Sequence, residues 1–282
     1  MNQEATKQIF ADVRRATVGL VVFHPENKSR PYTIVGSGFC VDSVGIVATC
    51  EHVVSAFMQR PIHDQIAAIP SEKRRSQLNR LAEVKIIVPY VIFLTAGERP
   101  HEIKAVLSRI DQVMARTDYD LALVRAVPHF AYPNGYPTLE IQPYEELSEG
   151  DEIGTCGYPL GNFLFEQIGT ITPSFTRGSI SSIVPVSGIP QEQLKLFQIN
   201  LTATYGNSGG PVFSTTSGKV FGILQGGIQD RQSNVLPGLS RAEPVYPITN
   251  FGDIDLIKSF PQGQLPPDLE DRMRSRAKKW EH

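Results

Sequence analysis

Gly206-Asn207-Ser208-Gly209-Gly210-Pro211 is the stretch whose reading decides the fold. A serine with glycine two before it and directly after it sits on a tight turn, with its hydroxyl exposed. Glycine supplies the positive φ angles and the close approach that such a turn requires. An exposed hydroxyl beside converging backbone N–H groups is the arrangement of a nucleophile next to an oxyanion hole. Gly-x-Ser-x-Gly spacing also describes a nucleophile elbow at a strand-to-helix turn, and such runs also form plain turns.

Chain order separates these readings. An acyl-transfer serine needs a base and a group that orients the base. Upstream, Ile46-Val47-Ala48-Thr49-Cys50-Glu51-His52-Val53-Val54 carries a histidine at the end of an apolar run. Between the two lies Asp118-Tyr119-Asp120-Leu121-Ala122-Leu123-Val124, an acid opening an apolar strand. His…Asp…Ser is the chymotrypsin order, whereas α/β-hydrolases run Ser…Asp…His. The histidine after Ser208 is His282, in last position and unsuited to be a fixed base, so the hydrolase elbow fails.

With these residues in hand, the chain resembles the trypsin-like serine peptidases of the chymotrypsin clan, most of all the protease domain of the bacterial HtrA/Deg family. The resemblance rests on Gly36-Ser37-Gly38-Phe39, the Thr49 to Val54 stretch, Asp120 to Val124, and Gly150-Asp151 followed by Gly157-Tyr158-Pro159-Leu160-Gly161. It continues through Phe197 to Asn200, Gly206 to Pro211 and Gly218 to Ile223, in family order over about residues 15–250. It implies an all-β fold of two six-stranded antiparallel barrels with the active site in the cleft between them. No PDZ domain is expected, because the sequence after Phe260 is too short for one.

Composition sets limits. The net charge of −2 points to neither nucleic acid nor an anionic membrane. No stretch approaches the ~20 apolar residues of a membrane span. The N-terminus shows no basic and apolar export signal. Cys40 and Cys50 fall out of register on their hairpin, so reduced thiols and a cytoplasmic location are expected, unlike the mostly exported HtrA proteins.

Periodicity gives the organisation. Residues 3–15 read as a helix with Ile9, Phe10 and Val13 as its apolar stripe. Strands are expected at 16–23, 33–41, 45–50, 84–94, 121–127, 152–157, 167–171, 179–185, 196–203, 211–214 and 220–225, a sandwich or barrel pattern. The protease domain is placed at 1–260, with barrels at about 16–135 and 148–255 on either side of a Pro- and Gly-rich break. A charged, helix-prone insertion is expected at 55–83 and a helical tail at 261–282; each reads as a solvated helix or as an arm for a regulatory partner.

By the resemblance, Ser208 is the nucleophile, His52 the general base and acid, and Asp120 rather than Asp118 the orienting acid. The N–H groups of Gly206 and Ser208 form the oxyanion hole. Thr202 lies at the base of the primary pocket, with Gln225-Gly226-Gly227 as the edge strand that pairs with substrate. No carboxylate stands at that base, so protein or peptide substrates are expected to be cut after small or medium apolar P1 residues. Asn207, where digestive relatives carry an aspartate, argues against activation by a new N-terminus. No cofactor or metal is expected. A catalytically silent scaffold that binds a partner and an esterase with the same triad are the other readings.

Overall fold

The computed structural model describes residues 3–23, 32–55, 88–96, 103–116, 119–142, 146–159, 171–185, 195–229, 235–245 and 252–260. Helix α1 (Gln3–Ala16) runs directly into β1 (Thr17–Phe23). Its stripe is the one read from sequence: Val13 and Ala16 are buried, and Ile9 and Phe10 pack against the same core. Thr17 Oγ1 donates to the Val13 carbonyl at 2.8 Å, satisfying one of the acceptors that a helix end leaves free.

The first barrel is built from β1, β2 (Tyr32–Asp42), β3 (Ile46–Cys50), β4 (Val88–Ala96), β5 (Ile103–Arg116) and β6 (Leu121–Ala126). They close in the order β1-β2-β3-β6-β5-β4. The second barrel contains β7 (Glu152–Gly157), β8 (Ser174–Pro185), β9 (Lys195–Ile199), β10 (Pro211–Ser214), β11 (Val220–Gln229) and β12 (Val235–Pro244). It closes as β10-β11-β12-β9-β8-β7, and every strand pair in both barrels is antiparallel. Closure leaves no strand edge open along the full length of a sheet.

The period of two is visible in β1. Val18, Leu20 and Val22 enter one core with Phe39, Val47 and Leu123, while Val21 and Phe23 face Tyr90, Ile92 and Tyr158 on the other side. Tyr158, which follows the first strand of the second barrel, lies over Gly19, so the barrels are joined by packing. Helix α1 adds to the joint: the Phe10 ring meets Phe175 and Phe213 edge-on at 4.7 and 5.6 Å, and the Arg177 guanidinium lies 4.6 Å over it.

Two strands escaped the periodicity. In β5 the inward positions are Val106, Ser108 and Ile110, and the polar middle member is satisfied by the Tyr136 hydroxyl at 2.8 Å. In β12 the buried Ser240 donates to the Leu201 carbonyl and accepts from the Ala203 N–H. Neither segment has a β-branched run; long-range pairing with β4 and β6, or with β11 and β9, makes them strands. The strand expected over 196–203 ends at Ile199, and that over 179–185 begins earlier, at Ser174. The strand expected at 167–171 and the tail at 261–282 lie outside the described residues, as does the 55–83 insertion beyond Ser55.

Unforeseen, a further helix packs on the first barrel: α3 (Asp253–Ser259), the third among the described residues after α1 and α2 (Glu51–Ser55). Arg116 grips the buried Asp253 carboxylate with Nε and Nη2 at 2.7 and 2.5 Å. Arg125 holds Asp111 through two parallel bonds of 2.9 and 2.8 Å, and its Nη1 donates to the Ile257 and Phe260 carbonyls. The Asp111 side chain is fully buried. Removing one member of such a pair strands a buried charge. Asp111→Ala should therefore cost roughly 3–5 kcal/mol by urea unfolding; a loss under about 1 kcal/mol would mean that water replaces the carboxylate at little cost.

Candidate active site

His52 and Asp120 are brought together by one ladder. Strands β3 and β6 pair with Cys50 opposite Leu121, which sets the turn after β3 against the residue before β6. That turn is α2, pinned by the buried Val53 and Val54. The Asp120 carbonyl accepts from Glu51 N–H at 3.1 Å, and its carboxylate accepts from the His52 N–H at 3.0 Å. His52 Nδ1 lies 2.8 and 3.0 Å from the two carboxylate oxygens. That contact assigns the proton to Nδ1 and leaves Nε2 as the free acceptor of the neutral ring. Asp120 has φ 46°, the one positive φ among the described non-glycine residues. Aspartate tolerates that left-handed conformation better than most residues.

The electrostatics follow from these contacts. Burial alone would push the Asp120 carboxyl up, but the His52 ring and backbone donors and the nearby Arg241 hold it below the usual carboxylate value. Glu243 on β12 goes the other way: burial outweighs Arg241, the Asp120 charge adds to the effect, and the carboxyl is pushed up to about 7. The folded protein thus binds this proton more tightly than the unfolded chain does. The contribution is full below about pH 4.5 and is lost as pH rises through about 7. Relative to wild type, Glu243→Gln should gain on the order of 2–3 kcal/mol of stability between pH 4.5 and 8. Parallel urea midpoints for the two proteins across that range would overturn the assignment.

Ser208 stands on the other barrel. Thr204 to Asn207 form a four-residue turn closed by Asn207 N–H to the Thr204 carbonyl at 3.1 Å, with Gly206 in its third position at φ 94°. A positive φ there and not at Tyr205 is the type II form, which glycine alone adopts without strain. Asn207 is buried, and its amide reaches the Thr204 hydroxyl at 3.4 Å.

The first barrel clamps this loop. On β2, Ser37 N–H donates to the Ser208 carbonyl at 2.8 Å, and Ser37 Oγ donates to the Gly206 carbonyl at 2.6 Å. Ser37 Oγ also accepts from Tyr158 N–H, while Thr49 Oγ1 donates to the Ser37 carbonyl. Gly209 N–H bonds the Leu224 carbonyl at 2.8 Å from the opposite side. Ser37 and Thr49 were not singled out as functional residues from the sequence. A signal was present, because glycines flanking Ser37 within a strand mark close backbone approach: a Cβ on Gly36 would meet Val53 at 2.6 Å and the Ser208 carbonyl at 3.0 Å.

The Ser208 hydroxyl donates to the Gln225 carbonyl at 2.7 Å. The structure thus joins His52 to Asp120 and places Ser208 opposite the β11 edge, with the hydroxyl proton directed at that strand. Strand β10 stops pairing with β11 at Ile223, so among the described residues no strand pairs with Gln225, Gly226 and Gly227 on the side away from β12. A Cβ on Gly226 would come 4.0 Å from Ser208 Oγ. Thr202 is exposed, and its hydroxyl accepts from Gly238 N–H at 3.1 Å, facing β12. Asp118 lies outside the described residues.

Two barrels, a His–Asp pair on one and a glycine-flanked serine on the other are the peptidase constellation, and a sequence profile of the trypsin-like peptidase domain matches residues 36–223. The chain belongs to the trypsin-like peptidase domain family. It is 26% identical over 239 residues to the mouse peroxisomal leader peptide-processing protease, covering 84% of this chain and 31% of that protein. The human protein of the same name is 30% identical over 128 residues, 45% of this chain and 18% of its own length. The chain thus spans less than a third of these curated relatives. Among solved structures, this trypsin-like peptidase domain superposes on Deg5 with TM-score 0.56 at 15% identity, covering 89% of this chain and 94% of that one. The HtrA-type protease AlgW with a tripeptide gives 0.55 at 15%, over 87% and 61%. These likenesses are to the fold.

Proposed function

We propose that this chain is a serine endopeptidase acting through His52, Asp120 and Ser208. The observation that carries the reading is the oriented imidazole: Asp120 binds Nδ1–H from 2.8 Å and leaves Nε2 free in the cleft. In this reading Ser208 Oγ turns from the Gln225 carbonyl toward His52, a rotamer change that takes ps–ns in an accessible residue. It attacks the scissile carbonyl while Nε2 takes its proton, and the proton then passes to the leaving amine. The N–H groups of Gly206 and Ser208 hold the oxyanion, a contribution of roughly 3–4 kcal/mol per donor in comparable sites. Substrate lies extended along Gln225-Gly226-Gly227 by strand addition. An exposed, extended segment is the substrate form such an edge takes, and the two curated relatives are named for processing a leader peptide. A small or medium apolar P1 residue suits a pocket with Thr202 and glycines at its walls. Regulatory partners engage the 55–83 or 261–282 segments, and the three buried, unbridged thiols suit a reducing, cytoplasmic setting.

The silent scaffold is kept as the second reading, because the Ser208 hydroxyl is bonded to Gln225 rather than to His52. A fluorophosphonate distinguishes the two, since only an activated serine beside a formed oxyanion hole reacts. Peptide mapping should find the label on Ser208, and a peptide library should show Val, Ala, Leu, Ile or Thr at P1. Labelling elsewhere with Ser208 untouched would favour the scaffold, and cleavage mainly after Arg or Lys would overturn the pocket assignment.

A further inference from the structure

One group at the base of the cleft is unused by that mechanism. Cys50 ends β3 and is fully buried; its thiol makes a long 3.5 Å contact to the Leu224 carbonyl and a hydrogen bond with the Gly209 backbone. Its Sγ, a ring nitrogen of His52 and a carboxylate oxygen of Asp120 all lie within 4.8 Å of one another. We propose that Cys50, His52 and Asp120 form an inhibitory site for a borderline-soft divalent cation, Zn²⁺ or Cd²⁺.

The donor set is the argument. Zinc takes thiolate, imidazole and carboxylate together and keeps a fourth position for water when three protein ligands are present. Thiolate and carboxylate supply two negative charges, which balance the ion. Bonds of about 2.0–2.3 Å require the three side chains to close on the ion by roughly half an ångström, within rotamer adjustment. Entry is from the cleft, because the His52 side chain is 47% exposed and that of Asp120 25%. Hard cations such as Mg²⁺ want oxygen ligands in an octahedron and do not suit this set.

Binding is proton exchange without redox change. The Cys50 thiol loses its proton to solvent as the sulfur–metal bond forms. The imidazole moves its proton from Nδ1 to Nε2, and the freed Nδ1 lone pair goes to the ion in place of the hydrogen bond to Asp120. A neutral ring with Nε2 protonated has no lone pair for the Ser208 proton. Metal binding and general-base catalysis by His52 are therefore mutually exclusive. The inhibition, though not the binding, rests on the peptidase reading.

The full chain titrated with Co²⁺ after chelator treatment tests the site directly. Wild type should develop the near-ultraviolet thiolate-to-cobalt band, Cys50→Ser should lack it, and added Zn²⁺ should bleach it. In parallel, Zn²⁺ but not Mg²⁺ should suppress peptide turnover reversibly with EDTA. Cys50→Ser and Cys50→Ala, checked for a wild-type melting profile, should keep metal-free turnover and need at least about tenfold more Zn²⁺ for half inhibition. Absence of the thiolate band in wild type, or equal zinc sensitivity in both variants, overturns the proposal. A cobalt band through Cys50 in a protein with no metal-free turnover supports the metal site and overturns the peptidase reading instead.

Discussion

Ser208→Ala is expected to lower peptide turnover by roughly three to six orders of magnitude while the protein unfolds at the wild-type urea midpoint. His52→Ala should fall as far, because nucleophile and base act as a unit and losing either leaves only binding and the oxyanion hole. Asp120→Asn is the most informative of the three. Asparagine also tolerates the left-handed backbone at this position, so the turn survives. Its amide, however, no longer demands a proton on His52 Nδ1, and the ring is free to take the wrong tautomer. A loss of roughly four orders of magnitude is expected, as for carboxylate-to-amide changes in other triads. Near wild-type turnover in Ser208→Ala would remove the serine from the mechanism. Full activity in Asp120→Asn would leave the 2.8 Å contact without a catalytic role.

A large structural effect at the nucleophile loop should come from Gly209→Ala. Gly209 has φ +88°, and a Cβ there would stand 2.1 Å from the Ser37 carbonyl oxygen and 2.2 Å from Thr49 Oγ1. The first contact is backbone and cannot step aside. Relief requires the nucleophile loop to leave the clamp that Ser37 and Thr49 provide. A cost of at least about 3 kcal/mol and loss of Ser208 labelling are expected. Gly150→Ala is the control. Its φ is +94°, but nothing lies within 4 Å of the added methyl, so only the left-handed strain of about 1–2 kcal/mol applies. Equal urea midpoints for the two variants would show that strain, not the clamp, sets the cost.

The sequence by itself determined a good deal. The helix stripe Ile9, Phe10, Val13, the β-branched runs of β1 and β3 and the short apolar runs of β6 and β10 depend on near neighbours along the chain, so they were legible as patterns. The order of histidine, acid and serine, each beside its own glycine or apolar signature, pointed to His52, Asp120 and Ser208 as the candidate site residues and to the class of fold. Strands β5 and β12 carry no such local pattern; their partners lie far along the chain, and Ser108 and Ser240 are tolerated inside only because Tyr136 and Leu201 receive them. Helix α3 is likewise held by charges at Arg116, Arg125 and Asp111 that read as ordinary surface residues until β5 and β6 bury them. The clamp by Ser37, the turn of the Ser208 hydroxyl toward Gln225 and the meeting of Cys50 with His52 and Asp120 were decided by tertiary structure alone. The clamp spans the two barrels, the Ser208–Gln225 bond lies within the second and the Cys50 cluster within the first. Each needs segments distant along the chain to be paired in space, and no local spacing records such a contact.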